Sequence, residues 1–163
     1  MKTHPALRIL MGVLLLAVAA CSPTSIFKKD DGNAISGHPV DNSIVHFDAQ
    51  TSFDRLNSVR QKHLLKSFRP DPRLMEAAQR HASLMGRTGK FGHEFGPDTK
   101  FKRRIFAVGF DNSAGENLGV GYRSIDAAIE GWLNSPGHRK ILLKRNYSLG
   151  GIAYARNTSG KNP

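Results

Sequence analysis

Apolar positions along this chain change their period several times, and each change marks an element. An apolar stretch at 9–17 is interrupted only by Gly12, whereas 22–51 shows little periodicity. Between 52 and 65, Phe53, Leu56, Val59 and Leu64 fall near one helical face, with Arg55, Arg60 and Lys62 turned away. The 3.6-residue repeat is clearest in the next helix, where Leu74, Ala77, Ala78, His81, Ala82 and Met85 share a face. Asp71 suits its N-cap, Pro72 its first position, and Gly86 or Gly89 its end. His81 lies on that apolar face and reads as a packed core residue. A third helix is predicted over 98–108, with Phe101, Ile105 and Val108 buried and Gly109 as its cap. Lys100, Lys102, Arg103 and Arg104 then read as a solvated cluster. A strand follows at 118–122. Ser124 caps a fourth helix carrying Ile125, Ala128, Ile129, Trp132 and Leu133, which Pro136 and Gly137 break. A second strand spans 148–155, and 157–162 reads as a turn. A turn with no returning strand leaves two readings, an unusually small sheet or a chain that is incomplete at its C-terminus.

The N-terminus changes the picture from a plain domain to an exported one. Lys2 and Arg8 precede the apolar stretch, which is too short to span a bilayer comfortably and ends in small residues, as a secretory leader does. Val18-Ala19-Ala20-Cys21 resembles a bacterial lipobox, whose peptidase cuts before a cysteine that carries diacylglycerol. Cys21 is the single cysteine of the chain. Lipidation would remove an awkward free thiol and hold the protein on a membrane surface. Ser22 behind it leans toward outer-membrane sorting.

The formal charge is +11; removing Lys2 and Arg8 with the leader leaves 22 basic residues against 13 acidic, a formal +9. A basic exported protein attracts phospholipid headgroups or anionic envelope polymers without selecting among them. Export and the lack of a basic-aromatic run exclude a nucleic-acid module.

Three residues supply candidate chemistry. His93, Glu116 and His138 lie in Phe91-Gly92-His93-Glu94-Phe95, Gly115-Glu116-Asn117-Leu118 and Trp132-Leu133-Asn134-Ser135-Pro136-Gly137-His138-Arg139. Two imidazoles and a carboxylate are zinc-type ligands that leave a fourth position for water, and zinc-bound water supplies hydroxide near neutral pH. The spacing matches no local zinc pattern, and Pro97 rules out a His-Glu-x-x-His helix starting at His93. The simpler reading is structural: Glu116 orients a loop and the two imidazoles bond to it, each charge-assisted bond contributing roughly 1.5–3 kcal/mol. Ser135 with His138 and Glu116 gives a serine-hydrolase reading. Serine before proline at a helix end serves local turns, however, and no Gly-x-Ser-x-Gly elbow is present. Gly119-Val120-Gly121 lacks the third glycine of a phosphate loop. Phe91, Phe95, Phe101, Phe106 and Phe110 could line an apolar groove or simply join the core.

The ordered set of His93, Gly115-Glu116-Asn117-Leu118, the Trp132 segment and Gly150-Gly151-Ile152-Ala153, preceded by the Ala77 to Met85 helix, resembles the CAP superfamily. That superfamily comprises cysteine-rich secretory proteins, antigen 5 and pathogenesis-related proteins, and the likeness over 51–163 is closest to its bacterial, disulfide-free branch. The resemblance implies an α+β fold: an α–β–α sandwich with a small antiparallel sheet flanked by about four helices, and a last strand beyond Pro163. It also implies a cleft of two histidines and two acidic residues that holds a divalent metal such as zinc in some members. His93, Glu116 and His138 match three of the four. The fourth falls near Ser135, which cannot supply a carboxylate's charge. Eukaryotic relatives of this fold bind sterols or fatty acids.

The combined expectation is an envelope-anchored lipoprotein with a leader at 1–20, a lipidated N-terminus and tether at 21–51, and one CAP-like domain at 52–163. Its expected role is a non-catalytic binding or interaction module built on the His93, Glu116 and His138 cleft. The alternative is a zinc-dependent hydrolase acting on an envelope substrate. Expected partners are a membrane, through Cys21, and either anionic envelope polymers or a small apolar ligand.

Overall fold

A computed structural model describes the backbone of residues 14–20 and all of residues 47–160. Cys21 and the tether residues up to 46 lie outside the described residues. Among the described residues the elements in chain order are β1 (Leu14–Ala20), α1 (Ala49–Lys62), β2 (Arg69–Pro70), α2 (Pro72–Thr88), α3 (Phe101–Phe106), β3 (Glu116–Val120), α4 (Ile125–Asn134), α5 (Pro136–Leu142), β4 (Leu149–Gly150) and β5 (Tyr154–Arg156), with a 3-10 turn at Pro97–Thr99. The class is α+β, as expected.

Local signals set most helix ends. Asp71 caps α2 by accepting from the Arg73 and Leu74 N–H groups, Pro72 takes the first helical position, and Gly89 ends it at φ +66°. Ser124 caps α4 through the Ala127 N–H. The first helix starts earlier than its apolar pattern shows, because Asp48 accepts from the Thr51 N–H at 2.6 Å and draws Ala49 into the first turn. It also ends earlier: Leu64 adopts φ +55° and is 88% exposed, so it leaves the predicted apolar face. Pro136 ends α4 as predicted but also opens α5, since a proline at the first helical position forfeits no helical hydrogen bond. The predicted helix over 98–108 resolves into the 3-10 turn and the shorter α3.

Two apolar layers flank the sheet. Leu74, Ala78, Ala82 and Met85 of α2 pack with Ile105, Phe110 and Leu118 on one side. Phe53 and Leu56 of α1 pack with Ala128, Ile129, Trp132, Leu142, Tyr147 and Ile152 on the other. Successive strand side chains point to opposite faces. Leu118 therefore joins the α2 layer, while a Cβ on Gly119 would meet the Tyr122 ring of the α4 layer at 2.9 Å. This alternation matters for the site, because it sends Glu116 toward α2 and α3 and Asn117 toward α5. The link from β4 to β5 runs hard against α2: a Cβ on Gly151 would lie 2.2 Å from the Leu74 carbonyl. The phenylalanines form no common groove. Phe110 is buried and Phe95 and Phe101 pack beside it, while Phe91 and Phe106 are exposed. Phe47 stacks on Tyr154, so the domain begins before residue 52.

The expected antiparallel sheet is corrected in its strand directions. β1 lies between β3 and β5 and runs parallel to both, and β2 pairs with β4 in parallel. Antiparallel neighbours are commonly joined by hairpins, whereas here helices separate every paired strand along the chain. The expected strand over 148–155 is split, with 151–153 outside any ladder. Residues 14–17 of the stretch read as the leader's apolar part lie in β1, the middle strand of the larger sheet. Among the described residues, no helix is long and apolar enough to cross a membrane.

Candidate functional site

Glu116 opens β3 with a side chain only 3% exposed. A buried carboxylate needs charge-assisted partners, and α3 supplies one. Arg104 Nη2 donates to Glu116 Oε1 at 2.9 Å and Oε2 at 2.8 Å. The same guanidinium donates to the Thr99 carbonyl at 2.9 Å and the His93 carbonyl at 3.1 Å. His93 Nδ1 lies 2.7 Å from Glu116 Oε1. Since the ionised carboxylate only accepts, that nitrogen carries the proton. The result is a short chain of charge, Arg104 to Glu116 to His93, with the His93 ring 54% exposed at its outer end.

His138 stands beside this chain without joining it. It is partly buried on α5, and its backbone carbonyl accepts from Asn117 Nδ2 at 3.0 Å. Burial lowers its pKa, and the neighbouring His93 charge lowers it further. Among the described residues no hydrogen bond links its ring to Glu116, nor Ser135 Oγ to either imidazole. Ser135 instead ends α4 and precedes α5, so the serine-hydrolase reading has no geometry behind it. His81 is buried, as read, and stacks on Phe95.

Arg104 is the site residue that sequence reasoning missed. Its place in the basic cluster at 100–104 predicts a solvated side chain, yet that side chain is only 10% exposed. The available signal was Glu116 itself: a carboxylate inside an apolar strand requires a cation, and the neighbouring basic cluster held the candidates.

The same arrangement decides the zinc expectation. Both oxygens of Glu116 face a guanidinium, and His138 does not converge on them. Among the described residues no three His, Cys, Asp or Glu side chains gather closely enough to hold a metal ion. The donor set does not fit a divalent cation.

His93 reports on this geometry. Its bond to Glu116 raises its pKa above 6.5, against an opposing effect of burial. A histidine whose folded-state pKa is raised contributes its full stabilisation below the unfolded value, and loses it as pH rises through the folded value. NMR titration of the His93 ring should give a midpoint above that of an unfolded-chain histidine. In Glu116→Gln the midpoint should fall, because the main cause of the rise is gone. An unchanged midpoint would disprove the bond.

Comparison with known proteins agrees with this picture. The cysteine-rich secretory protein family, CAP, matches residues 53–162. A Bacillus subtilis (strain 168) protein named uncharacterized membrane protein YlbC is 36% identical over 104 residues, covering 63% of this chain and 30% of its own length. Another from the same organism, uncharacterized protein YkwD, is 29% identical over 106 residues, covering 63% of this chain and 40% of its own. The chain thus spans less than half the length of either relative. No solved structure gives a significant match. With two-sided helical packing on a small sheet, and a match over most of its length, the chain belongs to the cysteine-rich secretory protein (CAP) family.

Proposed function

We propose that this domain is a non-catalytic binding module displayed in the bacterial cell envelope. The observation that carries the reading is the engagement of Glu116, whose two oxygens are held by Arg104 and one of them also by His93. A general base must be free to take a proton from a bound group, and this carboxylate is committed to internal partners. The exposed part of the cleft is the outer edge of the His93 ring, with His138 beside it. When protonated, His93 offers an outward N–H donor in a chain of net charge +11. That combination suits phosphate or carboxylate groups of an anionic envelope polymer.

Placement on a membrane follows from lipidation of Cys21, with Ser22 favouring the outer membrane. A relative named as a membrane protein supports membrane association. Cleavage before Cys21 would withdraw β1, so the anchored form would need another strand in the middle of the sheet.

The test keeps the full chain, in mild detergent, for that reason. Polyglycerol phosphate titrated onto it should bind saturably, about tenfold more tightly at pH 6 than at pH 8.5, because His93 is the more fully charged at the lower pH. His93→Gln should remove the pH dependence, and a chelator should change nothing. Stoichiometric zinc, with binding or hydrolysis lost on chelation, would replace this reading with the metal-dependent hydrolase.

A further inference from the structure

After Glu130 the chain contains no Asp or Glu but six Lys or Arg residues. Four of them, Arg139, Lys140, Lys144 and Arg145, fall on α5 and the turn that follows it. Elsewhere cations are offset: Arg55, Arg73, Arg80 and Arg103 pair with Asp126, Asp71, Glu76 and Asp98. Among the described residues none of the four on α5 and its turn finds a carboxylate, and Arg139, Lys140 and Arg145 are exposed with no side-chain hydrogen bond. Lys144 is partly buried; its Nζ donates to Tyr147 Oη at 3.3 Å and lies 4.6 Å from that ring's centroid. A strip of one sign repels itself, and a bound counter-charge relieves the repulsion.

Packing places this strip in line with the His93 cleft. The helix lies hard against the start of β3, where a Cβ on Gly115 would sit 2.7 Å from Ile141 Cδ1. Asn117 Nδ2 then holds the His138 carbonyl at 3.0 Å, so the strip starts beside His138 and runs away from the cleft. Beneath it, buried Arg60 takes the Leu142, Lys144 and Tyr147 carbonyls from the inner side. The backbone that carries the cations is therefore fixed before any ligand arrives, which lowers the ordering cost of binding.

Two features choose the partner. Arg139, Lys140 and Arg145 are separately solvated, so they enclose no single anion; cations strung along a surface suit an anion that repeats. The large exposed apolar side chains among the described residues are Leu64, Phe91 and Phe106, none of them on α5. On α5 itself Leu142 is buried and Ile141 packs on Gly115. A surface that enters a membrane combines basic with apolar side chains, and this one is basic alone.

We propose that α5 and the turn behind it form a track for a linear phosphodiester polymer, in which Arg139, Lys140, Lys144 and Arg145 take successive phosphates beyond the one met by His93. The inference rests on the polymer-binding reading of the His93 cleft and extends it from one phosphate to several.

Polyglycerol phosphate titrated onto the full chain in mild detergent, over a range of salt concentrations, tests this. The triple variant Arg139→Gln, Lys140→Gln, Arg145→Gln removes exposed cations that hold nothing in the fold. It should bind at least about tenfold more weakly at low salt, and its salt dependence should flatten, because fewer counterions are released. The same change at Arg69, Arg87 and Arg123, exposed cations away from α5, should alter affinity by less than about threefold. Thermal unfolding should be unchanged in both. The α5 triple variant should keep the preference for pH 6 over pH 8.5, because His93 is intact, whereas His93→Gln should keep the salt dependence. Parent-like binding by the α5 triple variant, with its pH dependence retained, would overturn the track and leave the His93 reading standing. An equal loss in the control triple would overturn it by assigning the effect to net charge. So would displacement of the polymer by phosphatidylglycerol mixed into the micelles, which would make the strip a membrane contact. Absence of saturable binding to the parent would remove both readings, and a parent that binds without pH dependence would remove only the part played by His93.

Discussion

Arg104→Met should destabilise the folded chain by about 3–5 kcal/mol, the loss typical when one partner of a buried ion pair is removed. The side chains of Arg104 and Glu116 are 10% and 3% exposed. Without the guanidinium, Glu116 keeps only its bond to His93, and the Thr99 and His93 carbonyls lose their donor as well. Urea unfolding measures the loss. Most of it should be recovered in Arg104→Met combined with Glu116→Gln, because a neutral amide costs far less to bury than an unpaired carboxylate. Arg104→Lys should recover little. An ammonium restores the charge but not the fork that reaches a carboxylate and two carbonyls together. A loss below about 1 kcal/mol, the range of solvent-screened pairs, would mean that Arg104 does not hold Glu116 in solution.

The residues that sequence exposes well are those whose partners are near in the chain. All six residues assigned to the apolar face of α2 are buried, and both of its caps use side chains or glycines within a few positions. Glu116 and His93 do meet, as their motifs suggest. Arg60 and Arg104 were hidden for one common reason. Periodicity sends charged side chains to solvent by default, and only distant acceptors reverse that. Arg104 finds Glu116 twelve positions on, and Arg60 finds the Tyr147 carbonyl 87 positions on. Strand directions were hidden as well. Parallel pairing of β1 with β3 and β5 joins segments far apart, and nothing local in any of the three encodes it. His138 falls between these cases: its motif placed it near His93, but ring contact depends on how α5 lies against β3.

Arg60→Leu should cost about 3–5 kcal/mol, although no carboxylate among the described residues partners the guanidinium. Arg60 is 0% exposed and was expected to face solvent. Its Nε donates to the Lys66 carbonyl at 2.8 Å, Nη1 to the Leu142 carbonyl at 2.7 Å and the Lys144 carbonyl at 3.3 Å, and Nη2 to the Tyr147 carbonyl at 2.7 Å. The guanidinium also lies 3.8 Å from the Phe68 ring centroid. Burial pushes its pKa down to about 10, so it remains a cation at neutral pH. The leucine variant fills part of the volume but strands those buried carbonyls, and each unsatisfied group costs about 1–3 kcal/mol. The damage should begin where the carbonyls are. Residues 142–147 connect α5, which carries His138, to β4, and Arg60 fastens that connection to α1. Amide exchange at 142–149 should therefore accelerate in Arg60→Leu before the rest of the domain opens. Arg60→Lys should fall between the two, since an ammonium reaches fewer of these acceptors and loses the flat contact with Phe68. If exchange rose evenly throughout the domain, Arg60 would be stabilising the core as a whole rather than anchoring the segment behind the cleft.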